Sequence, residues 1–360
     1  MKFVLHLARF APVLVACLAC STPTRSGWTA YRAGDFPTAR SHWEPVAEAG
    51  DADAQFLVGT LYDEGRGVAE DDVAAAHWYE LAAEQGVAPA QNNLGLLLVQ
   101  SRAETDAAAR AAAWYQRAAE ADFAPAQCNL GLAYLLGDGV ARDFDQARQW
   151  FEQAARQGDP KAERFLGVVY ERGLGVAPYP ERAAIWYRRA AERGFAPAQL
   201  QLGRLYQQGL GVDRSEALAS HWYGRAADQG LADAEFALGW LLSHADELVH
   251  NAALAAAHFE RAAESDHGPA QAQLGLLLLR GEGVAQDDTR AAQWLERAAT
   301  KNLAQAQYNL GLLYLKGRGV APDRSEAERW IRAAADQGLA VALAKREQLL
   351  ASADRAAGLR

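Results

Sequence analysis

Eight histidines and three cysteines are the residues of this chain best suited to metal or nucleophilic chemistry. A metal centre needs three or four such side chains converging, at spacings fixed by the element that carries them. His244, His250 and His258 are near enough in sequence to form a set of this kind. No H-E-x-x-H or H-x-x-E-H pattern accompanies them. His42, His77 and His221 each stand directly before a tryptophan, at a variable position that should face solvent. Cys128 has no evident histidine partner to activate its thiol, and should act as a small apolar residue. Cys17, Cys20 and Cys128 supply neither a disulfide framework nor a metal-ligating set. The tetrad G-x-G-V recurs at the ends of apolar runs, too regularly for a phosphate-cradling loop. The expectation is a non-catalytic protein with no cofactor and no metal.

Composition agrees. Half of the 360 residues are hydrophobic, so a large core can be buried. Alanine, the strongest helix former, dominates, and alternating β-branched runs are scarce, which reads as all-α. The net charge is −9 and the charges are interleaved, as on a solvated helical surface. No basic stripe exists for nucleic acid.

The N-terminus reads as an address. Lys2 and Arg9 precede a short apolar stretch, Phe10 to Ala16, too short to span a bilayer and suited to secretion. The sequence Leu14-Val15-Ala16-Cys17 resembles the lipobox of bacterial lipoproteins, in which the cysteine is acylated and becomes the new N-terminus. Cys20 is a poorer second candidate. The expectation is a signal peptide over 1–16, lipidation at Cys17, and a tether over 17–27. By resemblance to lipoprotein sorting signals, Leu18 in place of Asp after the cysteine implies the outer membrane over the inner.

The rest of the chain repeats. Glycines 59, 95, 131, 167, 203, 239, 275 and 311 are each 36 residues apart. So are tryptophans 78, 114, 150, 186, 222, 294 and 330 once His258 fills the missing slot. A fixed period of this size marks a stacked array. The first half of each repeat reads A-x-x-x-L-G-x-L-Y, on one helical face, and meets G-x-G-V, whose first glycine suits a left-handed cap. The second half follows an N-cap residue in six repeats (Asp71, Asp143, Ser215, Asn251, Asp287, Asp323) and reads A-x-x-W-Y-x-x-A-A. It closes on Gly86, Gly158, Gly194, Gly230 or Gly338 in five. Small Gly59- and Ala190-type residues let helices approach, and Leu310-, Tyr314- and Trp186-type residues should fill the space between.

These residues resemble the Sel-1-like repeat, a relative of the tetratricopeptide repeat, over 51–340. The resemblance implies an all-α, right-handed α-solenoid of αα-hairpin repeats. Residues 28–50 resemble a shorter tetratricopeptide-style capping pair. Residues 341–360 read as a capping helix and tail, with Leu343, Leu349 and Leu350 as its apolar residues. Some members of the family are β-lactamase-like, but those resemble a subfamily with a cysteine pair in each repeat, which this chain lacks.

In tetratricopeptide folds a stripe on the first helix lines the concave surface. Here it falls at −3, +1, +4 and +5 from each Gly59-type glycine, positions that avoid the consensus. It includes Phe56, Thr60, Asp63, Cys128, Leu132, Arg164, Arg204, Phe236, Trp240, Leu276, Leu279, Tyr308, Leu312 and Leu315. Phe56, Leu132, Arg164, Arg204, Phe236, Trp240, Leu276, Leu279, Tyr308, Leu312 and Leu315 are the candidate partner-binding residues. Repeats two and six lose their turn glycines, with Ser101 and Ala103 in one and Ala245 and Glu247 in the other, and close on Asp122 and Asp266. This reads either as drift after a four-repeat duplication or as a docking edge. The functional expectation is a monomeric, lipid-anchored periplasmic scaffold that holds a protein or peptide of the cell envelope in its groove. By family resemblance it would serve an envelope or exopolysaccharide-secretion complex or signalling regulation. A cell-wall-acting hydrolase, a peptidoglycan-fragment binder and a self-assembling array are the alternatives.

Overall fold

The computed structural model describes residues 22–101, 106–244 and 251–356. Cys17, Ala103, Ala245, Glu247 and His250 lie outside them. Every regular element among the described residues is helical. The chain forms two compact units, divided after Tyr179. The first holds α1 (Thr22–Arg32), α2 (Phe36–Glu48), α3 (Ala52–Asp63), α4 (Asp72–Glu84) and α5 (Ala88–Ser101). It continues with α6 (Ala107–Glu120), α7 (Ala124–Leu136), α8 (Phe144–Arg156) and α9 (Pro160–Arg172). The second opens with α10 (Pro180–Glu192), α11 (Ala196–Gln208), α12 (Glu216–Ala227), α13 (Ala232–His244) and α14 (Ala252–Glu264). It closes with α15 (Gly268–Arg280), α16 (Asp288–Thr300), α17 (Ala304–Lys316), α18 (Arg324–Asp336) and α19 (Ala340–Ala356). Within each unit the helices pack chiefly on their sequence neighbours, which is the packing of an α-solenoid.

Local chemistry sets the helix ends. The side chains of Asp71, Asp143, Ser215, Asn251, Asp287 and Asp323 all accept backbone N–H groups in the first turn of their helices. Asp51, Asp159 and the Nδ1 of His267 cap α3, α9 and α15 in the same way. Gly137, Gly173, Gly209, Gly281 and Gly317 take the left-handed cap conformation.

The central glycine has a packing reason in six of the first helices. A Cβ at Gly203 would lie 2.6 Å from Cδ1 of Tyr223, and one at Gly131 would lie 2.8 Å from Cδ1 of Phe151. The same clash recurs at Gly59 with Tyr79, Gly95 with Tyr115, Gly275 with Leu295 and Gly311 with Ile331. This corrects the expected core. Tyr79, Phe151, Tyr223, Phe259, Leu295 and Ile331, each one place after the tryptophan-type position, are fully buried or nearly so. Trp78, Trp114, Trp150, Trp186, Trp294 and Trp330 are half-buried. Arg117, Arg189 and Arg297 cover the rings of Trp114, Trp186 and Trp294, each with its guanidinium 4.6 Å from the ring centre.

Successive repeats are stitched by a buried glutamine. Gln55, Gln91, Gln127, Gln199, Gln271 and Gln307 each donate to the carbonyl eight residues earlier, at the end of the preceding helix, at 3.0–3.3 Å. Where the closing glycine is missing, Asp122, Asp266 and Asn302 adopt φ near +60°. Their side chains accept from Gln127, Gln271 and Gln307. The closing aspartates therefore complete the stitch. Hydrogen bonds from Lys301 and Gln271 hold the Asp266 carboxyl below its ordinary pKa. Asn302→Ala should destabilise the α16–α17 junction by about 1–2 kcal/mol, from left-handed strain and lost acceptors. Hydrogen exchange at Gln307 and Gln337 would report it. Protection equal to that of the parent would show that the stitch contributes nothing.

Helix α1 begins inside the stretch expected to be a tether. Gly27 lies against the indole of Trp43, and Trp43 Nε1 donates to the Thr24 carbonyl at 3.1 Å. Trp28, Tyr31, Phe36 and Trp43 form one aromatic cluster, so α1 and α2 imitate a repeat. In α19, Ala342 is buried and Leu343 packs beside it, but Leu350, expected in the cap's apolar face, is 56% exposed.

Candidate functional site

The candidate residues divide between the units, with Phe56, Leu132 and Arg164 in the first and the rest in the second. Trp240 alone is exposed, at 38%. The other ten are half-buried, with part of each side chain open to solvent. Phe56 packs on the ring of Tyr79, with centroids 5.8 Å apart. Leu132 lines a shallow apolar depression with Val99, Ala112 and Leu136. Arg164 lies over the ring of Phe165. The neighbouring stripe positions of the first unit are mixed, with Leu136 50% exposed and several others closed. Thr60, Asp63 and Cys128 are buried, with Asp63 accepting from the Tyr79 hydroxyl. Cys128 therefore faces no open groove, and burial pushes its thiol well above the usual pKa.

The second unit keeps the stripe more open. Phe236 contacts Trp240, Phe259 and His267. The Trp240 indole stacks on His244, with ring centres 4.0 Å apart and planes 14° apart. Phe236 and Leu279 rest on one core cluster, and Leu279 also rests on the next. Tyr308 packs over the α18–α19 contact. Leu315 borders a depression with Pro322 and Leu349. Leu276 and Leu312 occupy the same register one and two repeats beyond Trp240. Arg204 sits between Gln201 and Gln208, donating to both.

Of the candidate set, the two described histidines, His244 and His258, do not converge. His244 covers Trp240, whereas His258 is buried on another face of the hairpin. Among the described residues no group of three or more His, Cys, Asp and Glu side chains is placed to hold a metal ion. His258 instead joins an ionic cluster that sequence reasoning missed. Its Nδ1 lies 2.5 Å from Oε2 of Glu235, whose other oxygen accepts from Arg261 Nε at 2.8 Å. Glu235 occupies the glutamine-stitch position and His258 the tryptophan position. Two departures 23 residues apart thus compensate each other. Glu235→Gln and His258→Trp should each destabilise the chain, whereas the double variant should recover about 1–3 kcal/mol relative to their sum. Urea titration of the four proteins measures that coupling, and strict additivity would refute it.

Comparison with known proteins places this arrangement. The profile described as the Sel1 repeat matches eight consecutive segments: 52–87, 88–123, 124–159, 160–195, 196–231, 232–267, 268–303 and 304–339. The chain is similar to the crystal structure of a Sel1 repeat protein from Oxalobacter formigenes, at 30% identity and a TM-score of 0.64, covering 95% of this chain and 98% of that one. It is also similar to a protective antigen of uropathogenic Escherichia coli strains that displays an SLR fold. That match has 29% identity and a TM-score of 0.62, and covers 91% of this chain and 79% of that one. No curated protein matches the chain.

Proposed function

Because this chain belongs to the Sel1 repeat family, whose members are protein-interaction scaffolds, we propose that it is a non-catalytic scaffold of the bacterial envelope. It holds a partner protein or peptide on the first-helix stripe. The observation that carries this reading is the partly open aromatic and aliphatic register from Phe236 and Trp240 to Leu312. Apolar surface left open in a helical array marks a contact site, and tryptophan is a frequent anchor of such contacts. The sequence Leu14-Val15-Ala16-Cys17 supports export and acylation at Cys17, with the folded repeats held near the periplasmic face of the outer membrane. The scaffold acts as a monomer.

A photocrosslinking residue at position 240 tests the docking face in living cells. One dominant crosslinked envelope protein, lost when Leu276 and Leu312 are replaced by Ser, is the expected result. A folded, exported protein that gives no crosslink would remove the docking face. Cys17→Ala should move the protein from the membrane to the soluble periplasmic fraction. Unchanged membrane association would refute the anchor.

A further inference from the structure

The first helices of repeats six to eight carry two rows at offsets fixed by the repeat. The apolar row is Trp240 on α13, Leu276 and Leu279 on α15, and Leu312 and Leu315 on α17. Beside it, His244, Arg280 and Lys316 are the last residues of the same three helices, and all are exposed. Among the described residues Arg280 pairs with one acidic side chain, Glu282, at 3.6 Å, with the two side chains 61% and 53% exposed. A pair so long and so solvated contributes little and leaves the guanidinium available. Lys316 makes no ion pair among the described residues. Helix C-termini favour cations through their dipole, yet the matching positions of the first unit are Glu64, Gln100, Leu136 and Arg172, without a common sign. In a chain of net charge −9, two open cations along the edge of the apolar row are a local feature that composition does not account for.

We infer that repeats six to eight receive an acidic amphipathic segment of a partner protein. Its apolar side chains lie on Trp240, Leu276 and Leu312, and its carboxylates meet Arg280 and Lys316. This rests on the first-helix stripe being the docking face, and adds the chemistry of what docks. Apolar contact supplies affinity, and the cation row supplies register and rejects basic segments of similar shape.

The test uses two fluorescein-labelled amphipathic peptides with one shared Leu/Phe face, flanked by Glu in one and by Lys in the other. Fluorescence anisotropy with the purified chain should show the Glu peptide binding about tenfold more tightly, with a preference that shrinks as salt screens it. Arg280→Glu with Lys316→Glu should abolish or invert the preference, while Trp240→Ala should weaken both peptides alike. Equal binding of the two peptides by the parent protein would overturn the acidic specificity and leave the docking face standing. Binding of neither peptide would overturn the inference, and the crosslink from position 240 would then decide the docking face separately.

Discussion

Gly319→Ala should lower the unfolding free energy by about 2–5 kcal/mol, summing left-handed strain of about 1–2 kcal/mol and overpacking of about 1–3 kcal/mol. Gly319 has φ +72°, and a Cβ there would overlap the backbone carbonyl of Asp288 at the start of α16. Neither partner can yield, because both are main chain. The turn also carries Arg318, whose guanidinium binds the Asp288 carboxylate and the Leu279 carbonyl, both at 2.6 Å. Displacing the turn therefore loosens the seam between repeats seven and eight. Gly338→Ala is the control, since Gly338 has φ +84° with nothing within 4 Å of the added Cβ. It should cost only the strain, about 1 kcal/mol. Hydrogen exchange should show the loss centred on α16 to α18. Equal effects of the two substitutions would mean that the carbonyl contact does not matter.

What was legible in the sequence follows from how far apart the deciding residues are. A cap depends on a side chain and a backbone N–H two or three positions away, so the six N-caps and the left-handed glycines could be read directly. The deepest core position could not. Adjacent aromatics such as Trp150 and Phe151 are about 100° apart on a helix, and both fit a broad apolar stripe. Only the glycine twenty residues earlier, facing Phe151 across the hairpin, decides between them. Glu235 and His258 each look like drift alone and make sense only as a pair. Helix α1 escaped because Pro23, Ser26 and Gly27 have the composition of a linker, while the feature that packs on this helix is the Trp43 indole, which lies against Gly27 and donates to the Thr24 carbonyl. The first-helix stripe could be read as a register but not as exposure. Asp63 and Cys128 occupy stripe positions and are buried, because burial depends on what the neighbouring repeat places above them.

That register can be put to the test in repeat three. Phe151 is fully buried, stacks on Phe165 with centroids 5.1 Å apart, and fills the space above Gly131. Phe151→Ala should cost about 3–5 kcal/mol, as expected for a cavity in a core that cannot collapse. Trp150 is the larger side chain but is half-buried, and Trp150→Ala should cost less, about 1–2 kcal/mol. The order is the reverse of what residue size implies. A further substitution separates packing from simple hydrophobicity. In the parent protein Gly131→Ala should cost about 1–3 kcal/mol, because its Cβ strikes the Phe151 ring. Once Phe151 is Ala the ring is gone and only the Ala147 carbonyl oxygen, 3.1 Å from the added Cβ, still crowds it, so the higher helix propensity of alanine, worth up to about 1 kcal/mol, should offset most of the remaining cost. Additive effects at 131 and 151 would show that the glycine is retained for some reason other than the ring, and the packing rule common to these hairpins would fail with it.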